Sequence, residues 1–123
     1  MLPAKPVAGI DPIKSDILSL PDFITLSSSS PPVLTNAILI RGVELGISKL
    51  ASQKKFRGPI HVYIGQELLA ASVLSSALST DSVTSTHRGH GHYLAKGGSV
   101  TSLIDELYGL PSGCNGGHGG SMH

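Results

Sequence analysis

His87-Arg88-Gly89-His90-Gly91-His92 places three imidazoles and a guanidinium in one short run, spaced by glycines that let a ligand approach the backbone. Imidazoles exchange protons near neutral pH, and a guanidinium offers a planar fork for two phosphate oxygens. Two further islands carry related residue types. His61-Val62-Tyr63-Ile64-Gly65-Gln66-Glu67 lies upstream, and the glycine-rich stretch from Gly113 to His123 lies downstream with Cys114, His118 and His123. All six histidines of the chain fall within these islands. Structural histidines would be scattered, so the concentration points to one polar, chemically active region.

The elements that must carry the islands read as mostly helical. Ser30 followed by Pro31 and Pro32 suits a helix start, with serine as cap and proline in the first turn. From Val33 to about Gln53, Leu34, Ala37, Ile38, Leu45 and Leu50 recur at helical spacing. Leu39, Val43 and Ile47 lie off that face, so this helix is apolar nearly all round. Gly42 and Gly46 would admit another backbone closely. Arg41 and Glu44 form an expected i,i+3 ion pair worth a few tenths of a kcal/mol.

Lys54 to Pro59 reads as a solvated basic turn and Ile60–Ile64 as a short extended piece. Gly65 leads into a helix over Leu68–Leu78, with Gln66 and Glu67 beside its positive end. Val83–Thr86, β-branched on alternate positions, is the expected strand, and it delivers His87-Arg88-Gly89 at its carboxyl end, where open α/β sheets collect ligands. Ser99 can cap a second amphipathic helix with Val100, Leu103, Ile104, Leu107 and Tyr108 on one face, stopped by Gly109 and Pro111. Residues 112–123 read as a loop unless something holds them.

Composition narrows the function classes. The chain has 123 residues, a formal charge of +1 and 14% charged residues, with no basic stripe for nucleic acid. Its mean hydropathy is positive, so some apolar surface is expected to sit against a partner. The single cysteine, Cys114, permits no internal disulfide and fits a reducing compartment. No apolar run approaches the ~18–20 residues of a membrane span. The proline- and serine-rich stretch 1–32 lacks the basic start and apolar centre of a secretory signal and has no arginine, so it reads as a flexible arm.

Taken in order, the motifs resemble the alpha subunit of thiamine-diphosphate-dependent 2-oxo acid dehydrogenases. That subunit belongs to the decarboxylating component of the pyruvate, branched-chain and acetoin dehydrogenase complexes. The resemblance begins near Leu39-Ile40-Arg41, where Arg41 and Glu44 match an Arg-x-x-Glu helix, and runs through Phe56-Arg57-Gly58. It continues through His61-x-Tyr63-x-Gly65-Gln66-Glu67, Ser85 to His92, and the closing Gly119-Gly120-Ser121-Met122-His123, about the last two thirds of the chain. The run Thr86–His92 is closer to the acetoin and pyruvate branches than to the branched-chain one. The family's Gly-Asp-Gly motif and downstream metal-holding asparagines do not occur before His123, so the chain is expected to be the front part of an enzyme, truncated ahead of that motif.

The resemblance implies an α/β, doubly wound thiamine-diphosphate-binding fold. This chain would supply its incomplete N-terminal portion, mostly helical with one or two short strands, residues 1–32 being a flexible arm and 33–123 the domain part. One strand cannot make a parallel sheet, which also argues for an incomplete domain. The implied cofactors are thiamine diphosphate and, in the complete enzyme, magnesium held by ligands outside this chain. His87 and Arg88 would touch the diphosphate, His61 would lie near the substrate, and His123, with His90 and His92, would share that cavity as a further catalytic candidate. Gln66 and Glu67 would order their loop.

The implied reaction decarboxylates or cleaves a 2-oxo acid or acetoin and passes the acyl unit to lipoamide. Implied partners are a beta-type subunit in a heterotetramer and a lipoyl-bearing acyltransferase, in the cytoplasm or, for a eukaryotic source, the mitochondrial matrix. The chain alone is expected to be inactive. Two other readings stand beside this one. The first is an inactive relative that only docks on a beta-type subunit. The second is a zinc site built from His87, His90, His92, Cys114, His118 and His123, against which stands the lack of paired cysteines.

Overall fold

The computed structural model describes residues 31–56 and 58–123. The arm expected over 1–32, apart from its last two residues, and the Ser30 cap lie outside the described residues.

Helix α1 spans Pro32–Ser52. Pro31 is its cap and Pro32 its first residue, where a missing N–H breaks no helical bond, and the amides of Leu34 and Thr35 donate to the Pro31 carbonyl at 2.9 and 3.1 Å. The buried face is Ala37, Ile40, Val43, Glu44, Ile47 and Leu50. The expected face is therefore corrected, because Leu34 and Leu45 are exposed. A helix apolar nearly all round offers no hydrophobic choice of face, and the buried partner of Glu44 makes that choice instead. Gly42 also departs from expectation: a Cβ there would meet nothing within 4 Å, so no backbone packs on it.

Helix α2 covers Glu67–Leu74, shorter than the Leu68–Leu78 read from composition. Serines end it: the Ser75 hydroxyl donates to the Ser72 carbonyl at 2.7 Å, and such local bonds compete with helix propagation. Asp81 then accepts the Leu78 N–H at 2.8 Å. Helix α3, His90–Ala95, has no counterpart among the elements expected from the sequence. It lies against Tyr63 so closely that a Cβ on Gly91 would stand 2.2 Å from the ring, which only glycine avoids. Helix α4, Val100–Leu107, follows expectation, with Ser99 accepting the Ser102 N–H at 3.3 Å and Gly109 leaving it at φ 72°.

Helix α1 packs on α2 and α3, and α2 on α3. The core joins Ile40, Val43, Ile47, Tyr63, Ala70, Leu94, Leu103, Ile104 and Leu107. Phe56 closes one end edge-on to Tyr108, with ring centres 5.0 Å apart.

The expected strand is not formed. Among the described residues there is no β-strand, and Val83–Thr86 is exposed and irregular. A strand is a paired object, and no neighbouring extended segment accepts its backbone groups here. Ile60–Ile64 is likewise unpaired. The described fold is mostly helical, and no described helix is long and apolar enough to cross a membrane.

Candidate functional site

Helix α3, the irregular segment before it and the glycine-rich tail enclose a cavity of about 590 Å³. Val83–Thr86 and Gly89 form one wall. His90, His92, Tyr93 and Lys96 form a second, and Cys114 with Gly120–His123 a third. His92 has a buried Nδ1 with no hydrogen-bond partner among the described residues.

His90 sits at the junction of the islands and is 3% exposed. Its Nδ1 lies 2.9 Å from Glu44 Oε1 on α1, and its Nε2 lies 3.1 Å from the Ser121 hydroxyl. A carboxylate only accepts, so Nδ1 carries the proton toward Glu44 and Nε2 faces Ser121 as acceptor. The Ser121 oxygen in turn accepts the His61 backbone N–H at 2.9 Å. One chain of bonds thus links α1, α3, the tail and the segment bearing His61. The second carboxylate oxygen of Glu44 and the hydroxyl of Tyr63 are buried without partners among the described residues. Burial, with the nearby Glu67 charge, pushes the Tyr63 hydroxyl up from its ordinary pKa, so it remains a proton donor.

The residues singled out from sequence are placed unevenly. His61 and His87 meet edge to face, with ring centres 4.7 Å apart. His123 is exposed and lines the cavity. Arg88 is exposed, its backbone N–H donating to the Thr86 hydroxyl at 3.4 Å, and it makes no ion pair among the described residues. His118 is exposed. No three His, Cys, Asp or Glu side chains among the described residues come close enough to hold a metal ion, which removes the support for the zinc reading there.

Arg41 and Glu44 do not pair with each other. Arg41 instead grips Glu67 with two bonds, Nε to Oε1 at 2.5 Å and Nη2 to Oε2 at 3.0 Å. Glu67 also accepts the Gly65 N–H at 3.0 and 3.1 Å, ordering the turn that carries Tyr63 into α2. Arg41 foremost, and then backbone donors, lower the Glu67 carboxyl to about 2 against the opposing effect of burial.

Glu106, 1% exposed near the end of α4, gathers the tail. Its Oε2 accepts the N–H groups of Asn115 and Gly117 at 2.7 and 2.8 Å, and its Oε1 those of Gly119 and Gly120 at 2.7 and 3.1 Å. Burial alone would raise its pKa, but the four donors outweigh it and hold the carboxyl below the ordinary range. Gly117 makes the geometry possible: at φ 78° its missing Cβ would stand 2.6 Å from the Gly109 carbonyl carbon.

Residues 35–123 match the family described as dehydrogenase E1 component. This chain belongs to that family. Its relatives include the alpha subunit of acetoin:2,6-dichlorophenolindophenol oxidoreductase from Bacillus subtilis, 43% identical over 68% of this chain and 25% of the relative. The mitochondrial pyruvate dehydrogenase E1 alpha-1 subunit of Oryza sativa is 33% identical over 93% of this chain and 28% of the relative. The corresponding Chaetomium thermophilum subunit is 40% identical over 70% and 21%. The chain therefore spans about a quarter of the length of these relatives. No solved structure matches it.

Two buried carboxylates bonded to cavity-lining segments, Glu44 and Glu106, escaped sequence reasoning. Glu44 was visible in its motif but was assigned a neighbour on the same helix. Glu106 carried one usable signal: a glycine-rich run exposes many N–H groups, and folded chains supply each buried one with an acceptor.

Proposed function

We propose that this chain forms part of the thiamine-diphosphate site of an E1 alpha-type subunit. That site would act on pyruvate or acetoin and pass the acyl unit to lipoamide. The observation that carries this reading is the convergence of the second and third histidine-bearing islands on one cavity, to which the Glu44–His90–Ser121 chain of bonds joins the backbone of His61 from the first. Family membership, and the names of the relatives as pyruvate dehydrogenase and acetoin oxidoreductase alpha subunits, support the same class of reaction.

The residues present fit the cofactor in kind. The Arg88 guanidinium is exposed and without an ion-pair partner among the described residues, as a diphosphate-holding fork must be before its ligand arrives. His87, one position before it, would add a donor. His92 lines the cavity, and its buried Nδ1 has no hydrogen-bond partner among the described residues. When bound, the thiazolium supplies the electron sink for breaking the bond next to the carbonyl. His61, held by its backbone to Ser121, would deliver protons at the substrate, and His123 would serve from the cavity wall. Magnesium would be held by residues outside this chain.

The fold read for the complete enzyme is the doubly wound α/β type, with 33–123 contributing helices and the approach to the site. A beta-type subunit would complete the cavity, and a lipoyl-bearing acyltransferase would receive the product, in the cytoplasm or the mitochondrial matrix. The exposed side chains of Leu34, Leu68, Leu69 and Val73 on α1 and α2 favour a covering partner. They equally suit the second reading, a chain that docks without catalysing.

Arg88 separates the two. In an assembly with a beta-type subunit, Arg88→Ala should weaken thiamine diphosphate binding roughly ten- to a hundredfold, since a charge-assisted bond is worth about 1.5–3 kcal/mol. Arg88→Lys should recover only part of it. Calorimetry that finds the dissociation constant unchanged would sink the diphosphate assignment. An assembly that forms but binds no cofactor would favour the docking reading.

A further inference from the structure

Helix α4 places Glu106 where a helix least wants it. The carboxylate is next to last in the helix, at the negative end of its dipole, and its side chain is shut away from water. Nothing within the helix stabilises a charge there, so its stabilisation must come from elsewhere. It comes from the tail, where Gly116, Gly117 and Gly120 take positive φ values of 64°, 78° and 60° and the N–H groups of Asn115, Gly117, Gly119 and Gly120 turn toward one point. Such a backbone concavity is an anion site, here filled by the chain's own carboxylate.

The tail does not end at that nest. Gly120, the last donor to Glu106, is followed directly by Ser121, which meets His90 and accepts the His61 backbone N–H. Met122 and His123 then complete the cavity wall. We propose that Glu106 is a positioning residue: by filling this nest it holds the Ser121–His123 wall and, through Ser121, the backbone of His61 beside the cavity. Its consequence for turnover rests on the function proposed above; the placement itself does not.

The test uses the whole chain with Glu106→Ala and the milder Glu106→Gln, and follows backbone amide exchange by NMR. Glu106→Ala should speed exchange at Asn115, Gly117, Gly119 and Gly120 roughly tenfold or more, and at His61 by a smaller factor. Ile40, Val43 and Ile47 in α1 should keep their protection.

Formate on the order of 0.1 M, a carboxylate small enough for the vacated nest, should restore protection in Glu106→Ala and leave the parent chain unchanged. If Glu106→Ala does not fold, Glu106→Gln decides, because its amide keeps one acceptor oxygen and loses the other; His61 exchange should still rise. Loss of protection spread evenly over all helices, or unchanged exchange at His61 while the four tail amides open, overturns the proposal. In assembly with a beta-type subunit, Glu106→Gln should lower kcat with thiamine diphosphate affinity retained. A parent assembly without activity would count against the proposed function, and the exchange results would still decide the role of Glu106.

Discussion

Two walls of the same cavity follow opposite rules. Residues 83–86, Val-Thr-Ser-Thr, have the composition of a strand, yet they are exposed, with side-chain bonds that stay local, such as Ser85 to the Thr86 carbonyl at 3.1 Å. Residues 112–123 have the composition of a flexible loop, yet they are fastened at many points. Glu106 takes four of their N–H groups, Ser112 donates to Asp105 at 2.8 Å, and Ser121 joins His90. Propensity favours the first wall and bonding favours the second. Order follows the satisfied backbone donors, because a β-branched residue gains its preference only against a neighbouring strand.

The comparison breaks most severely if the fastened wall loses its deepest anchor. Glu44→Ala leaves the buried Nδ1–H of His90 with no acceptor on α1, and stranding a buried donor that met a charged acceptor costs about 3 kcal/mol. Urea unfolding should show that loss, and exchange at Gly119 and Gly120 should rise with it. A smaller break strikes the backbone itself. Gly117→Ala combines a left-handed φ with a clash against Gly109, for a cost of about 2–3 kcal/mol in thermal unfolding. If Gly117→Ala is neutral, the tail is less tightly built than its bonds imply.

Much of this arrangement was legible in the sequence, and the remainder was hidden for a physical reason. Helices α1 and α4 follow from spacing, and Ser99 and Gly109 mark the ends of α4. The family could be read from motifs in register. What stayed hidden were contacts between elements. Arg41 has a carboxylate three residues away and bonds to one 26 residues away, because tertiary packing offers Glu67 in bidentate geometry. Helix α3 was missed because a run of Gly and His has little helical preference and gains its stability by packing on Tyr63. The inward face of α1 was misread because apolar side chains surround it.

Acid should sharpen the contrast between the walls. The Glu67 carboxyl is lowered from 4.5 to about 2, and Glu106 is lowered as well. A depressed carboxyl contributes stability that is present above its unfolded pKa and is lost as pH falls through the folded one. Stability should therefore decline as pH drops from about 4.5 toward 2. Because Arg41 is half exposed, the Glu67 share should stay near 1 kcal/mol and shrink with salt. Glu67→Gln should flatten that part of the acid profile. Protonating Glu106 should release Gly117 and Gly119 to exchange while Thr84 exchanges rapidly at every pH. Equal pH responses at Gly117 and Thr84, once intrinsic exchange is allowed for, would mean that the carboxylate does not distinguish the walls.

The smallest expected effect is the one most particular to the unfastened wall. Val83 is 38% exposed and belongs to no ladder among the described residues, so Val83→Ser removes little buried surface and no cross-strand neighbour. The change should fall within about 0.5 kcal/mol, as for an ordinary surface substitution. In a paired strand the same substitution would cost about 1 kcal/mol, because valine's preference is expressed through neighbours on the pleated surface. Urea unfolding of the chain resolves that difference if the slope is unchanged between variants. A cost well above 0.5 kcal/mol, together with slow exchange at Thr84 and Ser85, would mean that this wall is paired in solution and that the two sides of the cavity are alike. A neutral result leaves the Val83–Thr86 wall without neighbours that fix its shape, while the opposite wall is held by Glu106 and His90.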